Sequence, residues 1–261
     1  MIKKPRVSNH HGALENQNNL ASARLILDTY ADIDIMEIDF ICHRGDLISM
    51  HDYTATGVIN GSRLFDWIQM VVVEYGHTLW IDLKPKWDLV SLFCETAPYE
   101  THLLMSLLVH YRSHFLTHHG VDIVTRLMIA TQDDTLAHAL HTANESGAPP
   151  DRWIVSRDVP FLWSYVARAL LPLSTYDWIN RQTLREFQHY DFSHSLIISL
   201  DMAFFEYDTA RLVAFIRENG TIRRDAMLIL YSFPLSQAPI VVGDYHVVMQ
   251  YDHPLPIGVL L

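Results

Sequence analysis

The chain of 261 residues contains only two cysteines, Cys42 and Cys94. That is too few for a disulfide framework, and they lack the paired spacing of a zinc site, so both are expected to be buried thiols. Positive charge is also scarce: 19 Lys and Arg stand against 30 Asp and Glu, a formal charge of −11. Nucleic acid is thereby excluded as the main partner, because affinity for a phosphate backbone needs clustered Lys and Arg. The same balance gives no steering toward anionic membranes, so a lipid substrate would have to be met by local apolar loops. No apolar run approaches the roughly 20 residues that span a bilayer. Residues 1–7 carry two lysines and an arginine but run into polar residues without an apolar stretch. The expectation is therefore no signal peptide, no transmembrane segment and a cytoplasmic protein. There is no internal repeat, low-complexity tract or long charge block, and Gly147-Ala148-Pro149-Pro150 reads as a turn. Residues 1–261 are expected to form one domain.

What is present is apolar material, 49% of residues against 19% charged, enough to bury a large core. Short β-branched runs alternate with longer segments of helical period, the mark of βαβ units around a parallel sheet. Strands are predicted at residues 6–9, 33–41, 78–83, 123–130, 153–156, 196–200, 226–231 and 246–250. Helices are predicted at 18–30, 64–75, 88–115, 133–145, 161–171, 180–190 and 208–219. Asp133 and Asp208 suit helix N-termini, and Gly220 stands where a C-terminal cap glycine belongs. Eight strands on a chain of this length fit an α/β (β/α)8 TIM barrel. The end at Leu261 leaves no room for a full eighth helix, so that sector is expected to be open or covered by another copy in a homo-oligomer.

In such a barrel the active site lies at the C-terminal ends of the strands, and polar residues gather at the first of them. The first strand runs into Asn9-His10-His11-Gly12, the second carries Glu37-Ile38-Asp39, the following turn reaches His51-Asp52, and the third carries Asp82-Leu83-Lys84. Residues two apart on a strand share a face, so Glu37 and Asp39 point the same way. Carboxylates aimed into a barrel are costly unless neutralised, and a hard divalent cation is the usual answer. Asp82 offers a third oxygen ligand. A set of three carboxylates suits Mg²⁺, with Ca²⁺ the alternative, and disfavours zinc.

This pattern resembles the glycerophosphodiester phosphodiesterase family, whose members carry His-Arg-Gly at a strand end, then Glu-Asn, Glu-x-Asp, His-Asp and acid-x-Lys. The corresponding positions read His10-His11-Gly12, Glu15-Asn16, Glu37-Ile38-Asp39, His51-Asp52 and Asp82-Leu83-Lys84, with Glu37 lying 27 positions after His10 and His51 14 after Glu37. The resemblance is dense over residues 5–84 and returns weakly at Tyr251-Asp252-His253-Pro254. Two positions depart from it. His11 replaces the arginine, and Asp82 replaces the usual Glu in a form similar to the spider-venom phospholipase D branch of the same superfamily. The resemblance implies His10 and His51 as the acid/base pair, Glu37, Asp39 and Asp82 as metal ligands, and Lys84 and Asn16 as phosphate or substrate contacts; His11, in the arginine's place, and Asp201, at the mouth end of the sixth predicted strand, are further candidate contacts by position. The implied substrate is a glycerophosphodiester or a related (lyso)phospholipid-type phosphodiester, either hydrolysed or closed to a cyclic phosphate.

Each of these residues has a plainer reading. Sixteen histidines make chance motifs easy. Glu15 and Asn16 could simply cap the first helix, His11 could pack at a strand end, and Asp201 could cap the next segment. Trp80 and Trp87 read as core and rim. A literal His43-Arg44-Gly45 reads as a hairpin away from the strand ends, and His118-His119-Gly120 as a loop before the fourth strand. A barrel that has lost catalysis and only binds or supports is the rival from another class, favoured by the absent arginine and opposed by retention of both histidines and all three acids.

Overall fold

The computed structural model describes residues 6–9, 18–30, 33–43, 45–50, 61–83, 98–131, 140, 142, 153–157, 181, 184, 185, 188, 192, 197–206, 208–224, 226–231 and 245–251. Its sheet has nine strands: β1 (Arg6–Asn9), β2 (Ile35–His43), β3 (Asp46–Ser49), β4 (Thr78–Leu83), β5 (Leu127–Thr131), β6 (Ile154–Arg157), β7 (Ile197–Asp201), β8 (Met227–Tyr231) and β9 (His246–Tyr251). Eight are parallel, and their pairings run β1–β2–β4–β5–β6–β7–β8–β9 and return from β9 to β1. The ninth, β3, is antiparallel to β2. The result is an α/β fold with a mixed sheet.

Side-chain alternation divides the apolar residues into two clusters. Met36, Ile38 and Phe40 of β2, Leu79 and Ile81 of β4, Leu127 and Ile129 of β5, and Leu228 and Leu230 of β8 join the helices in a large outer core. The intervening residues Ile35, Trp80, Met128, Ala130 and Ile229 form a small second cluster on the opposite face, inside the ring of strands. Trp80 is thus core, as expected.

The helices start and stop where local chemistry allows. In α1 (Leu20–Thr29), Oδ1 of the N-cap Asn19 accepts from the backbone N–H groups of Ala21 and Ser22 at 2.9 and 3.2 Å. The short α2 (Leu64–Trp67) continues as a π-helix over Ile68–Glu74, and Gly76 follows at φ +71°. Pro98 opens α3 (Pro98–His119), which buries Leu104, Leu108, Tyr111 and Phe115 at helical spacing. Helix α4 (Thr209–Glu218) is capped by Asp208, whose carboxylate accepts from Ala210 N–H at 2.8 Å.

Four expectations need correction. The strand predicted at residues 123–130 begins late: Asp122 accepts from Val124 N–H and caps a 3₁₀ turn at Ile123–Thr125 before β5. Gly220 is not a left-handed cap; Asn219 ends α4 at φ −84°, and its Oδ1 accepts from Thr221 N–H and Oγ–H. His118 and His119 are the last residues of α3, with Gly120 at φ +67° as the stop, because the helical pattern persists past residue 115. Cys42 is half-buried, since it lies near the end of β2 where the strand leaves the core. The helices predicted at 133–145 and 180–190 have helical residues at 140 and 142, and at 181, 184, 185 and 188. The helix predicted at 161–171, Asp133, Cys94, Trp87 and the end of the chain past Tyr251 lie outside the described residues.

Candidate metal centre

Strand β2 is bordered by β4 along one edge, with Glu37 opposite Trp80, Asp39 opposite Asp82 and Phe40 opposite Leu83. Partners in a parallel pair point to the same face, so alternation and register together bring three carboxylates to one place. One oxygen from each of Glu37, Asp39 and Asp82 lies within 4.8 Å of the other two. All three residues are buried, at 1%, 0% and 8% exposure. The apolar inner cluster, Trp80 included, lies along the same strands, so the carboxylates stand in poorly solvating surroundings where like charges repel strongly.

The donor set fits a hard divalent cation. It is all oxygen, and two ligands on one cation with bonds of about 2.0–2.6 Å can stand up to about 4–5 Å apart, the spacing seen here. Among the described residues no other group of three His, Cys, Asp or Glu side chains is so arranged.

The other edge of β2 changes partner part-way along. Its lower half pairs with β1, Ser8 with Ile35 and Asn9 with Met36, and its upper half pairs with β3, from Phe40–Ser49 to His43–Asp46. Asp39 lies at the changeover, where a side chain completes the edge. Asn18 Oδ1 accepts the Asp39 backbone N–H at 2.9 Å, and Asn18 Nδ2 donates to Asp39 Oδ2 at 2.9 Å. Met50 N–H donates to the Asp39 carbonyl at 2.9 Å. Asn18 is buried and left-handed at φ +56°, a conformation asparagine tolerates better than most residues. Its own carbonyl accepts from Ser49 Oγ–H at 2.9 Å, and Ser49 Oγ accepts from Ser62 N–H at 3.0 Å. Ser49 N–H donates to the Ser62 carbonyl at 2.8 Å.

The β2–β3 hairpin is pinned separately. Arg63 Nε donates to Asp46 Oδ2 at 2.5 Å, and the Tyr111 hydroxyl of α3 donates to Asp46 Oδ1 at 3.1 Å. Burial, and then the Asp46 charge, push the Tyr111 phenol up to about 12.

Of the residues singled out in the sequence, the structure brings Glu37, Asp39 and Asp82 together. Asp201 is the last residue of β7, paired with Tyr231. His10, His11, Asn16, His51 and Lys84 lie outside the described residues. His43 stands in the β2–β3 hairpin as expected, paired with Asp46, but it is the last residue of β2 and so lies at a strand end, because the strand extends past the carboxylates to pair with β3. The residue that sequence reasoning missed is Asn18. An asparagine immediately before the N-cap Asn19, in the run Asn16-Gln17-Asn18-Asn19, was the available signal.

No protein-family model matches the chain, and no curated protein matches it in sequence. Solved structures do resemble it. A glycerophosphodiester phosphodiesterase from Agrobacterium tumefaciens str. C58 is 13% identical with a TM-score of 0.50, covering 96% of this chain and 97% of that one. A putative glycerophosphoryl diester phosphodiesterase from Silicibacter pomeroyi DSS-3 is 12% identical with a TM-score of 0.56, covering 98% and 92%. A glycerophosphodiester phosphodiesterase from Parabacteroides distasonis ATCC 8503 is 9% identical with a TM-score of 0.51, covering 96% and 94%. At these identities the likeness is one of fold. It falls on the same family whose motif pattern residues 5–84 resemble.

Proposed function

We propose that this chain is a metal-dependent phosphodiesterase on a single (β/α)8 barrel, acting on a glycerophosphodiester or a related (lyso)phospholipid-type phosphodiester. The observation that carries the reading is the convergence of Glu37, Asp39 and Asp82 on one buried spot at adjacent strands. These residues would hold Mg²⁺, or Ca²⁺ in its place. The cation would supply Lewis acidity toward a non-bridging phosphate oxygen.

The protein's own groups do the rest. His10 and His51 flank the phosphorus, one taking the proton of the attacking water or hydroxyl and the other protonating the leaving oxygen. An unperturbed histidine pKa near 6.5 suits either role at neutral pH. Lys84 adds a positive contact to the phosphate, and His11, Asn16 and Asp201 line the substrate. Chain continuity supports this assembly. Asn9, Met50 and Leu83 each immediately precede one of these candidates, and each is bonded to or paired with β2 at Met36, Asp39 and Phe40.

The test is phosphorus NMR of glycerophosphodiesters, lysophospholipids and sphingomyelin incubated with the protein and Mg²⁺. A phosphomonoester product means hydrolysis, and a cyclic phosphate means attack by a substrate hydroxyl. No turnover of any of them, with metal bound, would leave the non-catalytic barrel as the better reading.

A further inference from the structure

Asn18 occupies a position that few side chains can fill. The gap on the edge of β2 presents a backbone N–H that needs an acceptor, beside a carboxylate oxygen that takes a donor. A primary amide supplies both from one planar group, and Asn18 meets both at 2.9 Å. An aspartate there would face Asp39 Oδ2 with a like charge, and a longer glutamine would overshoot. The amide therefore fixes the orientation of one carboxylate of the cluster as well as the local course of β2.

The same asparagine is held from behind. Its carbonyl accepts from Ser49 Oγ–H, and Ser49 is bonded to Ser62 through both its hydroxyl and its backbone N–H. Gly61 makes that approach possible: a Cβ at position 61 would meet the Ser49 carbonyl oxygen at 2.0 Å and Ile48 Cγ2 at 2.7 Å. Met50, on the other side of Ser49, donates its N–H to the Asp39 carbonyl, so Ser49 sits between two contacts to the same stretch of β2.

We propose that Asn18 is the positioning residue of the carboxylate cluster, and that Ser49, with Gly61 packed on it, holds Asn18 in place against Asp39. The inference rests on the reading of Glu37, Asp39 and Asp82 as metal ligands. Groups that orient metal-binding side chains typically change affinity by roughly tenfold to a hundredfold when removed. The measurement is calorimetric titration of Mn²⁺ and of Mg²⁺ alone into wild type, Asn18→Gly and Ser49→Ala, with circular dichroism and melting in chelator as the check on folding. Glycine is chosen because it accepts the φ of +56° at position 18 without strain. Asn18→Gly should weaken Mn²⁺ roughly tenfold to a hundredfold with the fold retained, and Ser49→Ala should weaken it a few-fold in the same direction. A merely structural asparagine would lower the melting temperature in chelator and leave metal affinity unchanged, and that result overturns the proposal. Should Asn18→Gly fail to fold, wild-type affinity in Ser49→Ala overturns it equally. Absence of any metal binding by wild type overturns both this inference and the metal reading beneath it, whereas binding by wild type that is unaltered in the variants overturns this inference alone.

Discussion

Strands β4 and β5 lie side by side in register, and their inward faces have opposite chemistry. Trp80 pairs with Met128 and Asp82 with Ala130, so at the height where β4 presents a carboxylate the next strand presents a methyl group. On the other side of β4, Asp39 of β2 pairs with Asp82 and Glu37 stands opposite Trp80. On the β5 side of β4 the charged patch therefore ends abruptly. Strand alternation operates equally in both regions; what differs is which residue types occupy the inward positions. One wall is built to hold charge, and the neighbouring wall, with Met128 and Ala130, to exclude water from beside it.

The comparison is broken most severely by removing the groups assigned to proton transfer beside the charged wall. His10→Ala and His51→Ala should each lower kcat by roughly 10²–10⁴-fold with the fold intact, the usual worth of a positioned acid or base. His43→Ala, at the far end of β2, should retain turnover. Steady-state kinetics with circular dichroism decide this, and a large loss in His43→Ala would mean that the first strand has been misregistered. Asp82→Asn comes next. It should cost at least roughly tenfold to a hundredfold in Mg²⁺ affinity, with activity falling in parallel, yet leave the metal-free protein more stable than wild type because one repelling charge is gone. Melting curves of both proteins with chelator and with Mg²⁺ test it; wild type should gain stability from the metal by mass action.

The apolar wall gives the reverse signature. Met128→Ala should destabilise the protein by about 2–5 kcal/mol through the cavity it leaves, by the same amount with and without metal. Denaturant unfolding in both conditions checks it, and a metal-dependent cost would mean that the two walls are coupled. The smallest effect lies outside both. Arg112 on α3 grips Asp122 through two hydrogen bonds of 3.0 and 2.8 Å, just before β5. The guanidinium holds the Asp122 carboxyl below its ordinary value. A carboxyl whose folded pKa is lowered contributes stability that is present above the ordinary carboxylate range and is lost as pH falls through the lowered value. Asp122→Ala, losing a half-buried ion pair and a cap, should cost about 1–2 kcal/mol at neutral pH and progressively less as the pH is lowered through that range. Equal cost at pH 7 and pH 3 would contradict it.

The sequence was most readable where the physics is local. The bounds of β4 and β1 agree with the expected residues 78–83 and 6–9, because runs such as Thr-Leu-Trp-Ile-Asp-Leu declare a strand by themselves. The helix over 64–75 was legible as a helix, but its continuation as a π-helix over Ile68–Glu74 was not. Strand β3 was seen only as an extended turn, since four residues carry too little periodicity and the strand exists by pairing with the upper half of β2. Asn16, assigned to the substrate, lies outside the described residues, whereas Asn18, which no sequence signal tied to the carboxylates, is bound to Asp39. Its place before the N-cap Asn19 was the one local signal, and the bond itself could not be read there because its partner lies 21 residues away.

The amino-acid sequence alone determined that Glu37 and Asp39 share a face, since side chains two apart on a strand must do so. It also determined that Asp82 ends a neighbouring apolar run as a lone carboxylate, and that the chain has the alternating elements of an α/β fold. Only the tertiary structure decided that Asp39 stands opposite Asp82, not a residue to either side, and that the edge of β2 passes from β1 to β3 at Asp39 with Asn18 completing it. Alternation is a property of one strand's covalent geometry. Register and edge partners are chosen by packing between segments far apart in the chain, and a slip of one residue would have turned the carboxylates of one strand away from those of the other.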